Sequence, residues 1–343
     1  MIISKTVSFF RILQWSWFNI VTIISLTTIV LGLYHFEIVS IQLPWLPISV
    51  IGTAVAFFIG FKNNQAYDRM WEARKIWGGI VNNSRTWGMQ VDGYITNLFN
   101  AGVSEEELKQ IKQRLIYRHI AWLYTHRTQL LIPTNWEFAG QTGRLKRMAN
   151  NFQEKFGIGL VKEEVSAIDL NKLIPVEEHT RLTGAKNQAT QLINGQSKDL
   201  AILRSRQVIE DFRHVELMET LSQFYELQGK NERIKKFPLP RQYANAGNYF
   251  TKIFLFLLPF SLVPELISIG TVGLWLAVPI TSLVSWVYIT MESTGDYSEN
   301  PFQGMGNDIP MLSLCRTIEI DLRQMLDESD LPAPIQAKKD ILM

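Results

Sequence analysis

The sequence predicts an all-α integral membrane protein in which two transmembrane hairpins flank a large helical cytoplasmic domain. Two observations predict it. Long uncharged runs are confined to the two ends of a 343-residue chain whose charged share is 19%, and its mean hydropathy of only +0.03 requires the apolar residues to be concentrated there. Lysine and arginine border those runs on one side, the asymmetry that membrane insertion reads.

The first run, residues 12–34, has 23 positions without Asp, Glu, Lys or Arg, and the second, residues 38–61, has 24. A crossing needs about 20 apolar residues, so residues 1–61 form an N-terminal segment and a first hairpin. Its helices cover about 12–34 and 46–61, the turn is His35-Phe36-Glu37, and Pro44 and Pro47 open the second helix.

Residues 62–250 then read as the helical cytoplasmic domain. Ser104-Glu105-Glu106-Glu107 is a capping box, the Ser hydroxyl and the Glu three places on each satisfying a first-turn amide. Leu108, Ile111, Leu115, Trp122 and Leu130 continue that helix to Leu131, where Pro133 stops it. A second long helix is expected over 198–228, with Ile202, Ile209, Phe212, Leu221 and Phe224 as its stripe and Gly229 as its stop. Residues 140–146 read as a glycine-bearing loop, and 150–190 are polar and less periodic.

In the second hairpin, 251–291, residues 253–264 and 266–291 are uncharged and Glu265 lies between them. One helix over that stretch would be about 58 Å long, against a hydrocarbon core of about 30 Å, so Glu265 is expected to mark a turn. Residues 292–343 form a cytoplasmic C-terminal segment, extended after Asp330. Lys5 and Arg11, then Lys62, Arg69, Arg74 and Lys75, then Lys235, Lys236, Arg241 and Lys252 flank the runs, while neither hairpin turn carries Lys or Arg. Both termini are therefore expected in the cytoplasm, with the chain in the inner membrane. The first run exceeds the h-region of a cleaved signal peptide.

Several functions are disfavoured. With 34 basic against 32 acidic residues there is no field for a nucleic-acid partner. The single cysteine, Cys315, excludes an intramolecular disulfide and reads as a buried thiol. Asp211 and His214 make one carboxylate-x-x-His pair where a di-iron bundle needs two, and no catalytic set converges elsewhere.

The informative stretch runs from Phe57 to Arg85, where the second membrane helix enters a polar helix without a proline or a turn cluster. Thr53, Phe57 and Phe61 share one face at i, i+4 and i+8, just before the first lysine. Such a stripe can pack against another helix or lipid. Repeated around an axis, it would make an apolar neck that gates by losing water. Trp71, Trp77 and Trp87 follow as surfaces for packing within or between subunits.

The elements Gly60-Phe61-Lys62-Asn63-Asn64, Asp68-Arg69-Met70-Trp71-Glu72-Ala73-Arg74 and Trp77-Gly78-Gly79-Ile80-Val81-Asn82-Asn83-Ser84-Arg85 resemble the bacterial branch of the bestrophins. Gln228-Gly229-Lys230-Asn231-Glu232-Arg233-Ile234 with Pro238-Leu239-Pro240, Glu299-Asn300-Pro301-Phe302 with Asn307-Asp308-Ile309-Pro310, and Cys315-Arg316-Thr317-Ile318-Glu319-Ile320-Asp321-Leu322 agree in order, so the resemblance covers about 10–330.

That resemblance implies a homopentameric channel in the lipid bilayer, passing small monovalent ions through one axial pore and needing no cofactor. It places the neck at Thr53, Phe57 and Phe61, with Thr53 departing from the family's apolar character. Counting back from Gly229 places a cytosolic aperture at Phe212, with Ile209 on the same face. Animal members carry a calcium clasp. Here Met305 takes the place of its first carboxylate, so Asn300 and Asp308 are expected to hold calcium weakly at best. The sign of the permeant ion stays open, since animal relatives pass anions and some bacterial ones cations. The alternative is a membrane-anchored helical scaffold or signalling protein without conduction.

Overall fold

The computed structural model describes residues 1–4, 6, 8–135, 147, 170–337 and 340–342, so the loop read at 140–146 and the polar stretch 150–169 lie outside the described residues. The helices run in the order α1 (Phe9–His35), α2 (Trp45–Tyr94), α3 (Glu105–Leu131), α4 (Val176–Thr183), α5 (Gln188–Ser205), α6 (Asp211–Lys236), α7 (Arg241–Ile267), α8 (Thr271–Ser298) and α9 (Met311–Met325). Among the described residues, extended pairing is confined to an antiparallel bridge between Ile2 and Ile341. Two compact units result. One joins Ser4–Arg69 to Pro238–Glu299, the other joins Met70–Phe237 to Met1–Ile3 and Asn300–Met343, and α2 contributes a half to each.

The first unit holds α1, the upper half of α2, α7 and α8, helices long and apolar enough to cross a membrane. Pro44 precedes α2 and Pro47 lies in its first turn, where a missing N–H leaves no helical bond unmade. Ile48, Val55 and Ile59 of α2 pack with Phe254 and Leu258 of α7, and Val30 of α1 packs with Val263 and Ala277. Trp286 Nε1 of α8 donates to Ser16 Oγ of α1 at 2.8 Å. The expected turn at Glu265 is corrected: Glu265 lies inside the last turn of α7, and the chain reverses at Ser268, Ile269 and Gly270. A charge interrupts hydropathy without breaking a helix, whereas reversal uses the left-handed Gly270, at φ 97°.

The second unit is built on one large core. Trp77, Trp87 and Val91 of α2 meet Ile116, Ile120 and Trp122 of α3, Leu221 and Phe224 of α6, and Leu312 and Ile318 of α9. Trp77 and Trp87 thus pack within the protomer, while Trp71 stays about half exposed. At the start of α3, Ser104 Oγ accepts from Glu107 N–H at 3.2 Å, as the capping box requires, but the Glu107 carboxylate turns to Arg206 at 2.5 Å. Cys315 is buried, and burial pushes its thiol up to about 12.

The single helix expected over 198–228 is two. Chain α5 ends at Ser205 in a Schellman motif: Val208 N–H reaches Leu203 O at 3.0 Å, Gln207 N–H reaches Arg204 O at 2.9 Å, and Gln207 is left-handed at φ 59°. Val208 and Leu203, the apolar pair that seals such a cap, are both buried. The motif escapes a sequence reading because glutamine stands where glycine is usual. Conversely, α6 runs through Gly229 to Lys236, and Phe237 ends it because the following Pro238 disfavours helical geometry before it.

Candidate pore-lining site

Two faces of upper α2 have opposite environments. Ile48, Val55 and Ile59 are buried against α7. Phe57, two residues after Val55 and hence about 200° round the helix, is 68% exposed, and Phe61 is 63% exposed. Their ring centroids lie 5.9 Å apart. Thr53 completes the exposed face, its Oγ1 donating to Ser49 O at 3.0 Å. The hydroxyl donor is thus tied to the helix, so this position is less water-seeking than its residue type suggests. The face carries no formal charge, and what it offers chemically is a stack of apolar surface that water wets poorly.

The lysine that follows behaves in the opposite way. Lys62 is only 4% exposed, and its Nζ lies 2.6 Å from Glu292 Oε1 and 2.5 Å from Asp296 Oδ1, both on α8. Asn63 Nδ2 donates to Met291 O at 3.0 Å. Sequence reasoning counted Lys62 only among the basic residues flanking the second run and missed both acids. The available signal was their i, i+4 spacing just past the uncharged run 266–291.

The two residues expected at a cytosolic aperture border one concavity but do not share a helix. Phe212 is 80% exposed in the first turn of α6 and borders an open concavity of about 770 Å³ that Ile209, Phe99 and Arg204 also line. Ile209 precedes α6 and is buried in the core, so the expectation that it shares a helical face with Phe212 is corrected. The capped end of α5 turns the chain between the two helices and directs Ile209 inward.

With Met305 in place of an acid, the segment Asn300–Asp308 offers one carboxylate, Asp308. Asp308 is buried and its Oδ2 accepts from the backbone N–H groups of Gln303 at 2.6 Å and Gly304 at 2.7 Å. Those donors occupy Oδ2 and present positive dipoles to it, while Oδ1 is buried without a hydrogen-bond partner. Met305, where the family has an acid, is itself buried. Asn300 is buried and supplies an amide, not the missing charge. Burial raises the Asp308 carboxyl to about 7.

The buried imidazoles of the second unit are structural. His119 meets Ser84 Oγ at 2.9 Å, and His126 meets Asn231 at 3.1 Å and stacks on Trp122 with planes 2° apart. Burial lowers His119 to about 3 and His126 to about 4, so both are neutral near pH 7.

Comparison with known proteins gives consistent results. The family model described as Bacterial/Fungal Bestrophin protein matches residues 7–324. The chain is 26% identical over 289 residues to the "Voltage-dependent anion channel-forming protein YneE" of Escherichia coli K12, covering 84% of this chain and 79% of that one. It is 24% identical over 287 residues to the similarly named protein alr2987 of Nostoc, covering 84% and 79%. Among solved structures, a bacterial bestrophin homologue from Klebsiella pneumoniae superposes with a TM-score of 0.71 at 22% identity, over 91% of this chain and 98% of that one. The fold is that of an all-helical membrane protein.

Proposed function

The chain belongs to the bacterial and fungal bestrophin family, and on that premise we propose that it is a channel for small monovalent anions in the inner membrane. Its termini and the domain over 62–250 face the cytoplasm, five copies close a ring in the lipid bilayer, and each supplies the Thr53–Phe57–Phe61 face to one axial neck. The names of the relatives support anions. The observation that carries the proposal is the exposure of Phe57 and Phe61 on the side of α2 turned away from α7.

Rings of such side chains narrow a pore with surface that cannot replace an ion's hydration shell, so an ion meets a desolvation barrier wherever water withdraws. Small changes in ring diameter then move the neck between wet and dry. Closure needs symmetry, because one helix face from one protomer cannot surround an axis, whereas a repeated heterologous contact can. Phe212, exposed at the start of α6, is the candidate for a second narrowing, and Asp308 is assigned to loop structure without a calcium ion.

Purified protein in planar bilayers tests this reading. Discrete single-channel currents whose reversal potential follows the chloride gradient are expected, with native mass spectrometry returning five subunits. Silent bilayers together with monomers would favour an anchored scaffold, and a reversal potential following the cation gradient would overturn the anion assignment.

A further inference from the structure

We infer that Lys62 is a positioning residue: its ion pairs with Glu292 and Asp296 fix the rotation of α2 about its own axis, and so the direction in which Phe57 and Phe61 face. The inference rests on the reading of those phenylalanines as pore lining. Apolar contacts alone do not settle that rotation. Ile48, Val55 and Ile59 meet Phe254 and Leu258 through non-directional packing, and the phenylalanines on the other face are comparably apolar. A helix turned by one residue, about 100°, would exchange one greasy surface for another.

The ionic contact breaks that degeneracy. Glu292 and Asp296 stand one turn apart on α8, so both face the same point of α2, and Lys62 Nζ reaches both. Rotation would withdraw Lys62 from two carboxylates of a largely buried pocket, leaving Glu292 only the longer-range field of Lys252, a cost that does not depend on side-chain shape. Asn63 adds a second constraint. It reaches Met291 O, and a Cβ placed on Gly295 would lie 2.1 Å from Asn63 Oδ1, so the α8 backbone is bare where Asn63 needs room. Tyr288 OH of α8 donates to Gly52 O at 3.1 Å, where a Cβ on Gly52 would fall 2.8 Å from Phe254. The contacts to α8 therefore bracket the stretch from Thr53 to Phe61, one just before it and two just after.

The test combines Lys62→Met and Lys62→Arg with a cysteine reporter, Phe61→Cys, since the one native cysteine is buried. Reaction of the reporter with a charged methanethiosulfonate in liposomes is followed alongside single-channel current and native mass. Lys62→Met is expected to keep the subunit count, slow reporter modification several-fold and change open probability, while Lys62→Arg restores both. Should Lys62→Met fail to assemble, Asp296→Asn, which leaves Lys62 with Glu292, is expected to give a smaller change in the same direction. Unchanged modification and current in an assembled Lys62→Met or Asp296→Asn protein would overturn the inference, as would a Lys62→Arg protein that behaves like Lys62→Met. If the parent protein passes no current, the channel reading fails by itself, and the modification rates still decide whether Lys62 sets the rotation.

Discussion

The two halves of α2 both bury apolar residues, but they differ in what they leave exposed and in where they hide a charge. Below Met70 the helix hides Trp77, Trp87 and Val91 in an aqueous-type core. Above it, Ile59 is buried against α7 while Phe57 and Phe61 are exposed, and the lysine that follows, Lys62, is buried as well. The helix is continuous, so the difference comes from the surroundings. Where water is the solvent, apolar area drives burial; where lipid or a pore wall is the solvent, apolar side chains gain little by hiding and polar groups gain most by finding one another. Exposure of a phenylalanine in the upper half therefore costs little, whereas an exposed one in the second unit, such as Phe212 of α6, stands out more.

The comparison breaks first under truncation. Replacing Trp122 by Ala, which is fully buried and donates to Gln228 Oε1 at 2.9 Å, is expected to destabilise the second unit by roughly 3–5 kcal/mol and to lower its melting temperature in detergent. Phe57→Ala, by contrast, is expected to leave the melting temperature nearly unchanged. Equal losses for the two would mean that Phe57 is packed in the assembled protein.

Acid sharpens the contrast. His119 and His126 titrate near 3 and 4 when folded against about 6.5 unfolded, so the unfolded chain binds more protons between those values and stability falls as pH drops from about 6.5 toward 4. The loss is expected to reach a few kcal/mol and to shrink in His119→Gln. Because the raised Asp308 carboxyl gains stability over the same window, the histidine share is read as the difference between the parent and His119→Gln, and identical pH profiles for the two would contradict the neutral, buried assignment.

How much of this was legible in the sequence follows the same division. The membrane helices were readable because uncharged runs need no partner to be recognised, and the start of α3 because a cap is local. The break at Gln207 was not, since a left-handed glutamine carries no glycine signal, and the partners of Lys62 were not, since they lie more than 200 residues away. The neck face was read as a periodicity. Its exposure, and the burial of Ile209 outside the helix that carries Phe212, required the tertiary contacts.

Smaller effects test the corrected helices. Gln207→Gly is expected to stabilise by about 1 kcal/mol by relieving the left-handed residue, and Gly229→Ala by about 0.5–1 kcal/mol in a helix interior where an added Cβ meets nothing within 4 Å. One helix over 198–228 ending at Gly229 predicts losses for both, so thermal melts separate the two descriptions. Smallest of all, channel currents are expected to be the same in micromolar calcium and in chelator; loss on chelation, restored by calcium, would show that oxygens beyond Asp308 complete a clasp.

The most direct test of the neck compares three exposed phenylalanines in single-channel recordings: Phe57→Ala, Phe61→Ala, and Phe256→Ala on α7 as a residue off the proposed pore face. Conductance or open probability is expected to rise in the first two and to match the parent in the third. Three identical records, or a change in Phe256→Ala alone, would contradict the assignment of Phe57 and Phe61 to the pore.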